Sequence, residues 1–316
     1  MTATAPRDTL ASAARARLGD VVFRRLAVAA GVTILLALAA VAVFLVAQSI
    51  PALIADPADL RGQPESFWHY VGPLAFGTVW AAALALLMAV PLSIGIALFI
   101  SHYAPRRLAQ PLGYIVDLLA AVPSVVYGLW GITVLAPAAV PFYTWLTENL
   151  GWIPLFAPPA SGTGRTVLTV AIVLAVMVLP IITALCREVF VQTPVLHEEA
   201  AFALGATRWE MIRMAVFPYA RSGIVSASML GLGRALGETM AVAMVLSPSA
   251  IVSLAILTPE NPSTIAANIA LNFPESAGLQ VNALIATGLI LFVITLAVNS
   301  IARAIVTHHE RGLESR

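Results

Sequence analysis

Residues 222–247 read SGIVSASMLGLGRALGETMAVAMVLS, long enough and apolar enough to cross a bilayer, yet Arg234 and Glu238 sit near the middle. A charge at the bilayer centre costs roughly 2.5–3.5 kcal/mol on insertion scales, so such a residue needs a partner, a wet cavity or a function. Four residues apart on one helix, the two side chains share a face and can reach each other. Gly231, Gly233 and Gly237 lie among them, and small residues let a neighbouring helix approach closely. Immediately upstream, residues 197–218 read HEEAAFALGATRWEMIRMAVFP, a polar segment with the look of a docking surface. One stretch is read as meeting a solute, the other as meeting a motor.

The composition extends this reading to the whole chain. Of the 316 residues 60% are hydrophobic and 10% charged, and the mean hydropathy is +0.92. Soluble domains carry about 25% charged residues, so the natural solvent of this chain is lipid. A net charge of +1, with no basic stripe, argues against nucleic acid. The single Cys186 excludes an internal disulfide and a cysteine metal cluster, and reads as a small buried residue near a helix end. All 17 basic residues are Arg. A phosphate-binding P-loop needs its Lys, so any ATP that drives this chain binds another polypeptide.

Six spans are expected, with an all-α membrane fold. A polar tail over residues 1–25 precedes an uncleaved first span at 26–50, too long for a secretory signal. Further spans are read at 71–100, 112–140, 166–186, 222–247 and 281–305, with a tail from 306 to 316. Pro91, Pro123, Pro137 and Pro180 are expected to kink or break their helices, neighbours satisfying the freed carbonyls. Residues 141–165 and 248–280 read as external loops, the first with interfacial Trp145 and Trp152, the second with a short re-entrant or interfacial helix. Fourteen of the 17 Arg then fall on the side of the termini, with Arg61 and Arg165 opposite and Arg234 in the membrane. The positive-inside rule places both termini, and the polar segment 187–221, in the cytoplasm.

Within that segment the Ala-rich stretch after Glu198 and Glu199 favours a helix, Gly205 permits a turn, and Trp209–Val216 can form a second helix. A helix–turn–helix along the membrane surface is either a dock for another protein or an ordinary amphipathic connector. The spacing of Glu199-Ala200-Ala201, Gly205 and Pro218 resembles the EAA loop of type I ABC importer permeases, with Ala215 and Phe217 in place of its Ile and Leu. In that family the loop is the coupling helix that inserts into the ATPase subunit, which makes Glu198, Glu199, Ala200, Ala201, Gly205, Ala206, Thr207 and Arg208 the candidates for coupling. Three further stretches, DLLAAVPSVVYGLWG (117–131), REVF (187–190) and LGRALGETMAV (232–242), are similar to the PstC permeases of bacterial phosphate importers. That resemblance implies inorganic phosphate as substrate, a PstA-like second permease, two PstB-like ATPase subunits holding ATP and Mg, and a PstS-like phosphate-binding protein. It implies no cofactor and no catalytic site on this chain.

The candidate substrate pathway comprises Arg234, Glu238, Asp117, Ser124, Tyr127 and Thr239. A guanidinium presents a planar fork of donors to phosphate oxygens and keeps its charge. Phosphate still carries a proton at neutral pH, so a nearby carboxylate such as Glu238 can accept a hydrogen bond from it and repel unprotonated sulfate. The pair can equally neutralise itself and pin helices together. Asp117 can cap its helix or pair with Arg106 or Arg107, and Ser124, Tyr127 and Thr239 can serve packing alone. The five His show no metal-ligand spacing. A sulfate or molybdate permease and a proton-coupled secondary phosphate carrier using Glu238 stand as alternatives. The EAA loop separates out the carrier, and RALGET separates out the other oxyanions.

Overall fold

The computed structural model describes residues 18–56 and 65–314, so the expected N-terminal tail and Arg61 fall largely or wholly outside the described residues. The chain is a helical bundle whose order follows its apolar runs. Helix α1 (Leu18–Ile54) leads into α2 (Phe67–Leu98), which widens into a π turn at Phe99–Tyr103. Then come α3 (Arg106–Ala120), α4 (Ser124–Trp130) and α5 (Ala136–Leu150), the last two joined by a π turn, and α6 (Val167–Val191). The polar segment holds α7 (Val195–Ala203) and α8 (Arg208–Met211), followed through a π turn by α9 (Phe217–Leu236). Helices α10 (Met240–Val245), α11 (Ile265–Asn272) and α12 (Leu279–Glu314) complete it. A single parallel pair joins β1 (Pro248–Ser249) to β2 (Asn261–Pro262).

Among the described residues, five helical stretches are long and apolar enough to cross a membrane: Gly19–Ile54, Phe67–Tyr103, Ser124–Leu150, Val167–Val191 and Leu279–Ala304. Four contain or nearly contain the spans expected at 26–50, 71–100, 166–186 and 281–305. Two expectations need correction. The span read at 112–140 is two elements, because Pro123 fixes an extended backbone (φ −59°, ψ 139°) that no helix accommodates. Its first part, α3, is a short amphipathic helix carrying Arg106, Arg107 and Asp117, and the span itself is Ser124–Leu150. Helix therefore continues through Pro137 and Pro141 into the stretch expected to be an external loop, Pro137 being accommodated in the first turn of α5. The span read at 222–247 is likewise interrupted, as described below.

The core is built on α2 against α6, with α9 laid on both. Fully buried Ala82, Ala85 and Ala89 of α2 meet Val170, Leu174, Met177 and Val178 of α6, an alanine face that lets two backbones come close. Outward faces are apolar and uncovered by protein, most completely on α1. Helix α1 packs on α12, where the Asn282 amide donates to the Gln48 carbonyl at 2.7 Å.

The stretch 248–280 is only in part a surface loop, since the short helix α11 and the residues before it enter the bundle. Asn261, Thr264 and Ile265 are buried within the bundle. The Asn261 amide donates to the carbonyls of Arg165, Ser247 and Pro259 (3.0–3.4 Å) and accepts the Val167 N–H at 3.0 Å. The Ile265 N–H donates to the Thr78 hydroxyl at 2.9 Å. Gly77 makes this approach possible, since a side chain there would meet the carbonyls of Pro262 and Ser263. The buried polar side chains of the segment, Asn261, Ser263 and Thr264, each have a hydrogen-bond partner, as burial requires.

Candidate functional site

Helix α9 ends at Leu236, and α10 starts at Met240, so Arg234 and Glu238 do not lie on one continuous helix. Gly237 leaves the helix (φ −91°, ψ 1°) and Thr239 is irregular (φ −110°, ψ −63°). The four-residue rule that places two side chains on one face holds only along an unbroken helix. No ion pair joins Arg234 to Glu238 among the described residues. This corrects the expected pair, and the break separates the two charges by environment.

Glu238 turns inward. It is 8% exposed, and its carboxylate accepts the Ala241 N–H at 3.0 Å, at the start of α10. An anion there complements the unpaired N–H groups and the positive end of the helix dipole. The opposite end of α10 is held by Arg165, whose guanidinium donates to the carbonyls of Met244, Val245 and Leu246 at 3.0–3.4 Å. Cation and anion thus cap the two ends of a helix only six residues long. The sequence reading missed Arg165, counted there only as an external charge; its single signal was an arginine at the mouth of an apolar span.

Helix α10 lies on α4 through glycine. A side chain on Gly128 would come within 2.8 Å of the Ala241 Cα, and one on Gly131 would meet Val173 and Val245. Gly231 plays the same part between α9 and α6, facing Ile182. Gly128, Gly131 and Gly231 are therefore close-packing positions, whereas Gly233 faces open space.

That open space is a cavity of about 790 Å³ between α9 and α12. Ser226, Met229, Gly233 and Arg234 line it from α9, and Asn299 and Arg303 from α12. Arg234 thus stands at a cavity wall with exposed surface, not in lipid-packed interior. With about 1.5 Å of rise per residue, Arg234 lies roughly 12 Å along α9 from Ser226. Ser226, Asn299 and Arg303 were not among the expected site residues, since their meeting depends on how α12 folds back on α9. Of the remaining candidates, Tyr127 lies within electrostatic reach of Arg234, and its hydroxyl donates to the Leu119 carbonyl at 2.9 Å. Ser124 opens α4 and is half-buried, and the Thr239 hydroxyl donates to the Gly237 carbonyl at 3.2 Å. Asp117 is elsewhere. It lies 3.5 Å from Arg187 of α6, the partner that the sequence reading had placed at Arg106 or Arg107. Gly113 leaves room for that guanidinium. The stretches 117–131 and 187–190 therefore meet in one contact that pins α3 to α6 and lies apart from the cavity.

The polar segment has the expected helix–turn–helix. Helix α7 closes with Gly205 at φ +84°, the Gly205 N–H donating to the Phe202 carbonyl (2.9 Å) and the Ala206 N–H to the Ala201 carbonyl (3.1 Å). This is the Schellman arrangement, which a residue without Cβ adopts most cheaply. Helix α8 opens on a capping box. The Thr207 N–H and hydroxyl donate to the Glu210 carboxylate at 2.8 and 2.7 Å, and the Glu210 N–H returns to the Thr207 hydroxyl at 3.4 Å. The Thr207 backbone bond, then its hydroxyl bond, hold the Glu210 carboxyl below its ordinary value. Glu199 and Ala200 are exposed, Ala201 is buried, and Leu196 and Leu204 project large apolar surfaces. A groove of about 430 Å³ beside them is lined by Ala200, Leu204, Met214 and Tyr219. Glu198 and Arg208 instead turn back toward the end of α2.

Comparison with known proteins agrees with this anatomy. Residues 89–314 match the family described as binding-protein-dependent transport system inner membrane component. The phosphate transport system permease protein PstC 2 of Mycobacterium tuberculosis is 48% identical over 300 residues, 92% of each chain. PstC of Mycobacterium leprae is 45% identical over 84% of this chain and 86% of its own, and PstC of Mesorhizobium japonicum 42% over 93% and 91%. Among solved structures, a bacterial ABC transporter involved in alginate import matches with a TM-score of 0.54 at 18% identity, covering 92% of this chain and 99% of that one. The MetNI methionine ABC transporter matches with a TM-score of 0.51 at 17% identity, over 80% and 99%. These two establish the ABC importer permease fold. The chain belongs to the binding-protein-dependent transport system inner membrane component family, among its PstC permease proteins.

Proposed function

We infer that this chain is the permease subunit of an ATP-driven importer that carries inorganic phosphate across the inner membrane into the cytoplasm by alternating access. The observation that carries the reading is the broken span: a charged cavity wall at Arg234, directly followed by a half-helix capped by Glu238 and Arg165. Arg234 is the proposed anchor for the oxyanion. Its fork of donors matches two phosphate oxygens, and the interrupted backbone around Gly237 gives α10 freedom to shift as the cavity opens to one side and then the other. Glu238, satisfied by the Ala241 N–H in this state, keeps a second oxygen to accept a hydrogen bond from the protonated oxygen of a hydrogen phosphate. Tyr127, Ser124 and Thr239 are proposed to border the path.

The exposed apolar face of α7 and α8 lies in the segment assigned to the cytoplasm by the arginine distribution, and such a patch outside lipid calls for a protein partner. The proposed partners are a PstA-like permease, two PstB-like ATPase subunits that bind ATP and Mg, and a PstS-like phosphate-binding protein. The family supports an arrangement with separate subunits, and Glu199, Ala200, Ala201, Gly205, Ala206 and Thr207 are the proposed docking residues.

The test is labelled phosphate uptake into proteoliposomes that hold this chain with those partners, ATP inside and binding protein outside. Arg234→Gln is expected to assemble and to lower uptake at least ~100-fold, as loss of a charged hydrogen-bonding group in a water-poor site does. Uptake by this chain alone, driven by a proton gradient, would overturn the reading.

A further inference from the structure

Helix α2 loses regular α geometry at the end of its membrane-length apolar run. It widens into the π turn Phe99–Tyr103, closed by the Ala104 N–H on the Phe99 carbonyl at 2.7 Å. That turn carries His102, whose side chain is only 8% exposed although it stands one residue from the end of the apolar run. The ring meets Phe190 of α6 edge to face, centroids 6.5 Å apart. Its Nδ1 is 2.7 Å from the Ser101 hydroxyl, which also lies 2.8 Å from the Ala97 carbonyl, so the ring is tied back to its own helix. The other nitrogen, Nε2, stands 3.6 Å from Glu198 of α7, whose side chain is 23% exposed. Arg208 of α8 reaches the same turn from the other side of Gly205. Its guanidinium donates to the His102 carbonyl at 3.4 Å and lies over the Tyr103 ring, 5.9 Å from its centre.

Two charged residues of the helix–turn–helix therefore grip one turn at the end of α2, while Glu199, Leu196 and Leu204 face outward. We propose that His102 is a positioning residue that joins α7 and α8 to α2, so that displacement of the docking helices is passed to the α2–α6 core and the α9 cavity wall. The proposal rests on the permease reading for its direction of action. Nothing in the sequence singled out His102, one of five His scattered in loops and tails. Helix α2 suits the role because it packs on α6, α9 and α11 together. A pull on its inner end reaches both the cavity and the buried segment at Ile265.

The test uses the assembled complex in proteoliposomes and reads phosphate uptake and ATP hydrolysis side by side. His102→Phe keeps the ring against Phe190 and removes both polar contacts; His102→Gln keeps an N–H directed at Glu198. The expected result is that H102F lowers the phosphate taken up per ATP hydrolysed about five-fold, the lower end of site-to-site coupling. H102Q retains most of that ratio, and Glu198→Ala added to H102F lowers it no further. Amide exchange over residues 195–203 in the same complex is expected to rise in H102F and not in H102Q. An unchanged ratio, equal loss in H102F and H102Q, or unchanged exchange would overturn the proposal. A wild-type complex that takes up no phosphate would overturn the permease reading instead; amide exchange would still decide whether His102 holds α7.

Discussion

At the scale of single residues, the charges of this chain divide by what the backbone offers them. Arg165 and Glu238 close the two ends of α10, Arg187 and Asp117 join α6 to α3, and Arg234 is left on a cavity wall. Glu210 is the one whose chemistry titrates legibly outside the membrane. Its carboxyl is held below the ordinary value by the Thr207 N–H, then by the Thr207 hydroxyl. A carboxyl lowered in the folded state adds its support fully above the unfolded value, about 4.3, and loses it as pH falls through the folded value. Amide exchange in residues 208–211 should therefore accelerate on acidification through that range. Glu210→Gln, which keeps the geometry of the capping box without the titration, should flatten the pH profile.

At the scale of elements, the stretch 222–247 behaves as two helices because the backbone leaves the helix at Gly237 and a new helix begins at Met240, its Ala241 N–H taken by Glu238. What holds the second piece in place is contact with α4 at Gly128, where the neighbouring atom is backbone and cannot swing aside. Gly128→Ala is expected to cost about 1–3 kcal/mol, as overpacking of a tight contact does, and to lower the thermal midpoint in detergent. Gly233→Ala, at a position with nothing within 4 Å, is expected to leave the midpoint near that of the parent chain. Equal midpoints for the two variants would remove the close-packing account of α10.

At the scale of the whole molecule, the arrangement makes a sidedness prediction. Cys186 is the only cysteine and is buried, so the chain offers a quiet background for labelling. Leu204→Cys, at a position 83% exposed beside Gly205, should react with an impermeant maleimide only from the cytoplasmic face. Trp152→Cys, at a position 80% exposed after α5, should react only from the opposite face. Labelling of both from one side would contradict the orientation drawn from the arginines.

Hydrophobic run length and spacing are local properties, and they were legible in the residues alone. The membrane class, four of the spans and the helix–turn–helix with its Gly205 turn followed from them. The break at Pro123 was legible, but not that α3 lies outside the span or that Pro137 continues it, because a proline is compatible with a kink, a break or a helix's first turn, and packing chooses between them. The ion pair expected from the Arg234–Glu238 spacing, the partner of Asp117, the capping role of Arg165 and the burial of Asn261 lay beyond reach for a different reason. Each depends on which distant backbone carbonyl, N–H group or side chain arrives opposite a given residue. Only the tertiary structure decides that, because in a water-poor interior a polar group takes whichever partner the packing of the helices delivers.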